Sequence, residues 1–151
     1  LLKSENPHIL NISPPLDMNP DWFSGHVAYS MAKFGMSLCV LGMAAEFKDD
    51  GVAVNALWPR TAIATAAVKN VLGGEQLVNI SRGPEIMADA AYVILTKPSK
   101  EFSGNFCIDD TLLAENGVSD FSVYADVPFD QLAPDFFVPE DMPPPEAAKK
   151  S

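Results

Sequence analysis

Apolar residues along the chain change their spacing several times, and each change marks an element. Residues 8–13, HILNIS, form a short, mostly apolar run that stops at proline, which predicts a buried strand. Residues 14–23, PPLDMNPDWF, hold three prolines with the turn formers Asp17 and Asn19, and predict a loop. From Ala28 to Phe47 only two glycines interrupt a helical pattern in which apolar residues fall nearly all round. Such a helix is expected to be covered on more than one side. Small residues at Ala28, Ala32, Gly35 and Gly42 would let another element approach it closely. KDDG (48–51) reads as a helix exit with a turn glycine, and VAVNALWP (52–59) as a second buried strand closed by proline.

Residues 60–83 are mixed: a stretch rich in threonine and alanine, then LGGEQ and SRG. This is long for a connection in a compact domain, and such loops are usually functional or mobile. PEIMADAAYVILTK (84–97) opens with proline and acid, as a helix start does, and carries one apolar face. NFCID (105–109) predicts a third strand. Strands separated by connections this long pair in parallel through crossovers, so the fold class is α/β with helices on the faces of a parallel sheet. Beyond about Ser119 neither period persists. The division expected is a folded unit over 1–125 and an acidic, proline-rich tail or linker over 126–151.

Composition narrows the function. The 151 residues are 48% hydrophobic, enough for one globular unit of ordinary size. A net charge of −10 without a basic stripe argues against nucleic acid or an anionic membrane as partner. No window holds the roughly 18 uninterrupted apolar residues of a membrane span, and no secretory pattern is visible in this stretch. Cys39 and Cys107 sit in apolar runs and read as buried free thiols, which favours a reducing compartment and leaves the sequons at Asn11 and Asn79 silent. His8 and His26 lack a third ligand, so no metal site is expected. The opening LLKSENPH reads as the end of a helix and a turn, so the expectation is a fragment with part of its domain upstream.

One pair of residues asks for chemistry. YSMAK places Tyr29 and Lys33 four positions apart on the long helix, so phenol and ammonium project from one face. Taken alone, each has a structural reading: a tyrosine packed at the core's edge, and a lysine whose stem lies on apolar surface. The surroundings change that. A strand ends in Ser13, YSMAK follows sixteen residues after it, another strand ends in VNALWP, and threonines come next in TAIAT. This order strongly resembles the C-terminal half of the short-chain dehydrogenase/reductase family, over residues 1 to about 138.

The resemblance implies the C-terminal half of a doubly wound, Rossmann-type domain that interconverts a secondary alcohol and a ketone, lipid-derived ones included, with NADP or NAD. It implies that Tyr29, Lys33 and Ser13 are catalytic, and that Tyr29, Lys33, Pro59, Thr61, Ile63 and Thr65 meet the cofactor. Ile63 would present backbone groups to the carboxamide, and Thr61 or Thr65 would meet phosphate. It also implies peroxisomal or mitochondrial residence, in place of the cytoplasm otherwise expected, although the terminal KKS does not match a peroxisomal address. The chemistry suits the spacing. A free tyrosine titrates near pH ~10, too high for a base at neutral pH, and a neighbouring ammonium favours the phenolate. Ser13 would hydrogen-bond the substrate oxygen, or else simply cap its strand.

Two departures stand out. Arg60 occupies the place of the family's glycine after proline, and no glycine-rich phosphate-binding turn links a strand to a helix. The expectation is therefore a catalytic half without its cofactor-binding half, assembling as a homo-oligomer through helix 28–47. The rival reading is a truncated, non-catalytic product that docks on a dehydrogenase subunit through the same helix.

Overall fold

A computed structural model describes residues 1–150 of the chain. Contacts divide them into two compact units, Leu1–Trp58 with Ala91–Cys107 and Phe137–Pro139, and Pro59–Ala90 with Ile108–Phe136 and the C-terminal stretch from Glu140.

In the first unit, strand β1 (His8–Ile12) leads through the loop to helix α1 (Val27–Glu46) and back to strand β2 (Ala53–Trp58). β1 and β2 pair in parallel, from His8 opposite Ala53 to Ile12 opposite Leu57, as the long crossover requires. Strand β3 (Phe106–Ile108) gives the sheet order β1-β2-β3. Every residue of β2 is buried, as befits the central strand, whereas β1 is an edge strand among the described residues. The core joins Val40 of α1 to Val54 and Ala56 of β2, with Ile9, Met43, Ala44, Phe47 and Phe106 packed around them. Buried Asn55 pins the turn before β3: its amide donates to Phe102 O at 2.8 Å and its Oδ1 accepts the Asn105 N–H at 3.0 Å. Gly51, at φ 69°, makes the turn into β2.

α1 departs from expectation in one respect. It buries a single stripe, Ser30, Phe34, Ser37 and Val40, and leaves Met31, Leu38 and Leu41 exposed, so within this chain it is covered on one side only. Its length and mean hydropathy of 1.4 over 18 residues would suffice for a membrane crossing, but Ser30, Lys33 and Ser37 interrupt the apolar run and the buried stripe packs on the sheet.

In the second unit, residues 60–83 form a closed loop. Its ends bridge in parallel at Ile63 and Arg82, with Arg82 N donating to Ala62 O and Ala64 N to Arg82 O, each at 2.9 Å. Inside it lie a π-helical turn (Val68–Leu72) and helix α2 (Gly74–Val78). Helix α3 (Glu85–Thr96) follows where the apolar periodicity places it, and its residues from Ala91 on belong to the first unit. Helix α4 (Asp109–Glu115) begins directly after β3 and is not announced by the apolar pattern; two carboxylates in its first turn suit the positive end of the helix dipole. Residues 133–135 run beside the loop, where Ala62 N donates to Ala133 O and Asp135 N to Arg60 O, both at 2.9 Å. Three-residue 3-10 turns occur at Ser122–Tyr124, Phe129–Gln131 and Ala148–Lys150.

Candidate active site

Ser13, Lys33 and Tyr29, three of the expected residues, all belong to the first unit. Ser13 is the first residue beyond the strand and is wholly buried, with no hydrogen-bond partner for its Oγ among the described residues. It therefore does not cap the strand. The Lys33 ammonium donates to Ile12 O at 3.2 Å and lies 5.1 Å from the centroid of the Trp58 ring. One turn further along α1, Ser37 Oγ donates to Pro14 O at 2.6 Å. Two side chains of α1 thus grip the backbone on either side of Ser13, which brings Lys33 to the serine's end of the strand. Tyr29 lies one turn before Lys33 and is half exposed, with its ring stacked on Phe137 at 5.7 Å between centroids.

Phe137 is the hub of an aromatic cluster. Wholly buried, its ring also meets Phe34 at 5.1 Å, Trp22 at 5.9 Å and Trp58 at 6.0 Å. It is the one non-glycine residue at positive φ (71°) among the described residues. For a bulky side chain that conformation costs on the order of 1–3 kcal/mol and survives where the surroundings over-determine it.

The other expected residues belong to the second unit. Pro59 is buried, and so is Thr61, whose Oγ1 has no partner among the described residues. Ile63 is buried, and its carbonyl accepts the Thr65 N–H at 2.7 Å. Thr65 is exposed, and its hydroxyl accepts the Val68 N–H at 3.3 Å, so it serves the next helical turn. Buried polar groups almost always have partners. The hydroxyls of Ser13 and of Thr61 are exceptions among the described residues.

Arg60, in place of glycine, does not project as a free cation. Its Nε donates to both oxygens of Asp110 at 2.7 and 2.8 Å, its Nη2 to Thr111 Oγ1 at 2.8 Å, and its Nη1 to Met142 O at 2.7 Å. Arg82 adds a second guanidinium to Asp110 at 3.1 Å, between the rings of Phe121 and Phe129. Beside them the wholly buried Asp109 accepts backbone N–H groups of Arg60 and Asp110 through Oδ1. Burial first, and then the charge of Asp110, push the Asp109 carboxyl up to about 7. The cluster anchors the start of the segment that carries Thr61, Ile63 and Thr65.

No protein-family model matches the chain. Among curated relatives, hydroxysteroid dehydrogenase-like protein 2 of Danio rerio is 57% identical over 145 residues, 94% of this chain and 34% of that protein. The Bos taurus protein of the same name is 58% identical over 140 residues, 93% of this chain and 33% of that protein. Among solved structures, a short-chain dehydrogenase of Mycobacterium thermoresistibile superposes with TM-score 0.81 at 50% identity, over 94% of this chain and 50% of that one. Over nearly its whole length the chain is similar to part of a short-chain dehydrogenase. A candidate dehydrogenase of Xanthomonas campestris gives TM-score 0.84, also at 50% identity, over 92% of this chain and 50% of that one. Two more distant structures share the fold: a ketoreductase with bound NADP (TM-score 0.52, 17% identity) and a 7α-hydroxysteroid dehydrogenase complexed with NADH and a 7-oxo bile acid (TM-score 0.54, 24% identity). The chain spans about a third of the length of the curated relatives it matches. The α/β class, the parallel crossover and the family resemblance read from the sequence are thereby met.

Proposed function

We propose that this chain carries the proton-transfer half of a nicotinamide-dependent oxidoreductase that interconverts a secondary alcohol and a ketone. The observation that carries the reading is the buried, unpartnered Ser13 hydroxyl at the strand end to which Lys33 is tied, with Tyr29 one turn away. A bound nicotinamide dinucleotide would supply or accept the hydride. In the reducing direction hydride adds to the carbonyl carbon, the π pair moves to oxygen, and Tyr29 Oη gives that oxygen its proton. Ser13 Oγ donates to the same oxygen as charge builds on it. Lys33 holds positive charge near the phenolate left behind, and its ammonium has donors to spare for a cofactor hydroxyl once one is bound to Ile12 O. Alcohol oxidation runs the same steps backwards.

Thr61 is the hydroxyl best suited to a cofactor oxygen, and NADP is the form the resemblance favours; NAD would use the same groups. Lipid-derived alcohols and ketones are the substrate class to try first, given the naming of the curated relatives. Residues 1–151 hold no glycine-rich turn, and the pyrophosphate needs backbone donors of that kind. We therefore expect weak dinucleotide binding by these residues alone. The exposed apolar face of α1, with Met31, Leu38 and Leu41 beside small residues, suits a second copy of the chain. The test is dinucleotide-linked turnover of a panel of secondary alcohols by the full-length protein and its Tyr29→Phe variant. Loss of roughly 10²–10⁴-fold in turnover with cofactor affinity kept is the result expected; retention of most activity would overturn the assignment.

A further inference from the structure

The geometry points to Phe137 as a positioning residue for the proton donor, an inference that rests on the role given to Tyr29 above. α1 begins without a side-chain cap: His26 stands at its N-cap position and makes no capping hydrogen bond. Tyr29 lies in that first turn and is half exposed. The ring is stacked on Phe137, whose plane is inclined by only 16° to that of the phenol. The constraint bears on chemistry because a phenolic O–H prefers the plane of its ring. The plane of the stack sets the direction in which the proton leaves.

Phe137 is itself over-determined. Its ring meets Phe34 and Trp22 edge to face, each at 68°, and its backbone is held in the left-handed region. It also meets Trp58, the ring over which the Lys33 ammonium lies. A single side chain therefore braces the proton donor and the platform of its partner lysine. Strain of this kind gathers where surroundings fix a functional geometry.

The experiment compares Phe137→Leu and Phe137→Met with wild type and Tyr29→Phe in the full-length protein. Leucine and methionine keep apolar bulk and remove the flat ring. The result expected is a fall of about tenfold in kcat, of the size a small misplacement of a reacting group brings, with cofactor Kd unchanged. The pH–rate profile should move and the solvent isotope effect on kcat should rise, as proton delivery becomes limiting. A kcat within twofold of wild type with an unmoved profile, while Tyr29→Phe is inactive, overturns the inference alone. A change confined to cofactor Kd also overturns it. Activity retained in Tyr29→Phe overturns the function proposed above instead. If neither variant folds, Phe137 is a core residue and the positioning role falls.

Discussion

Replacing Asp109 with asparagine should remove a definite slope from the stability of this protein against pH. The carboxyl is wholly buried and is pushed from 3.8 to about 7 by burial and by Asp110, with Arg60 and Arg82 also facing it. Below pH 3.8 it is protonated in both the folded and the unfolded chain and contributes no pH dependence. Between 3.8 and about 7 the unfolded chain releases the proton while the folded chain keeps it, so stability falls as pH rises. Above about 7 both states are ionised and the loss is complete. The gap corresponds to an upper bound of roughly 4 kcal/mol, at 1.36 kcal/mol for each tenfold change in proton affinity.

Asparagine cannot ionise, and its Oδ1 can still accept the N–H groups of Arg60 and Asp110. Its amide nitrogen would occupy the place of Oδ2, which has no partner among the described residues, at a cost of about 1–3 kcal/mol. Asp109→Asn should therefore be destabilising near pH 4.5 and neutral to stabilising at pH 8. Urea unfolding at closely spaced pH values, with m constant, reads the difference directly. Parallel curves for the two proteins would show that Asp109 does not carry this proton, and a slope abolished by Asp110→Asn instead would assign it to the neighbour.

Arg60→Gly, the residue expected there from the resemblance, leaves Arg82 as the one cation on buried Asp110 among the described residues, and should cost about 3–5 kcal/mol in unfolding measurements. Ser13→Ala removes a hydroxyl that has no partner among the described residues, so stability should hold or rise slightly while kcat falls by the roughly 10²–10³-fold of a lost oxyanion donor. Lys33→Met should weaken cofactor binding and move the pH–rate profile upward together, as the phenolate loses its ammonium; unchanged values would leave Lys33 a packing residue. A Cβ at Gly35 or Gly42 meets nothing within 4 Å, so Gly35→Leu and Gly42→Leu should fold normally and gain up to about 1 kcal/mol of helix propensity. Both should weaken self-association in light scattering, and an unchanged mass would mean that this face of α1 stays bare.

What the sequence determined by itself is local or nearly so. Apolar runs ended by Pro14 and Pro59 set β1 and β2, the glycine after KDD set the exit from α1, and the four-residue spacing of Tyr29 and Lys33 put them on one helix. Parallel pairing followed from the length of the crossover, because a chain cannot otherwise return to run beside itself in the same direction. α4 and the closed loop between Ile63 and Arg82 escaped because their stability comes from partners distant in sequence. Tertiary structure alone decided that the Ser13 hydroxyl is buried without a partner, since no sequence pattern counts hydrogen bonds that are not made. It decided likewise that Arg60 turns toward Asp110, fifty residues away, and that Phe137 takes a left-handed backbone to reach the ring of Tyr29. Each is a balance of burial against desolvation or strain that the packed chain settles as a whole, which is why residue type and spacing could single out Tyr29 and Lys33 but not what they pack against.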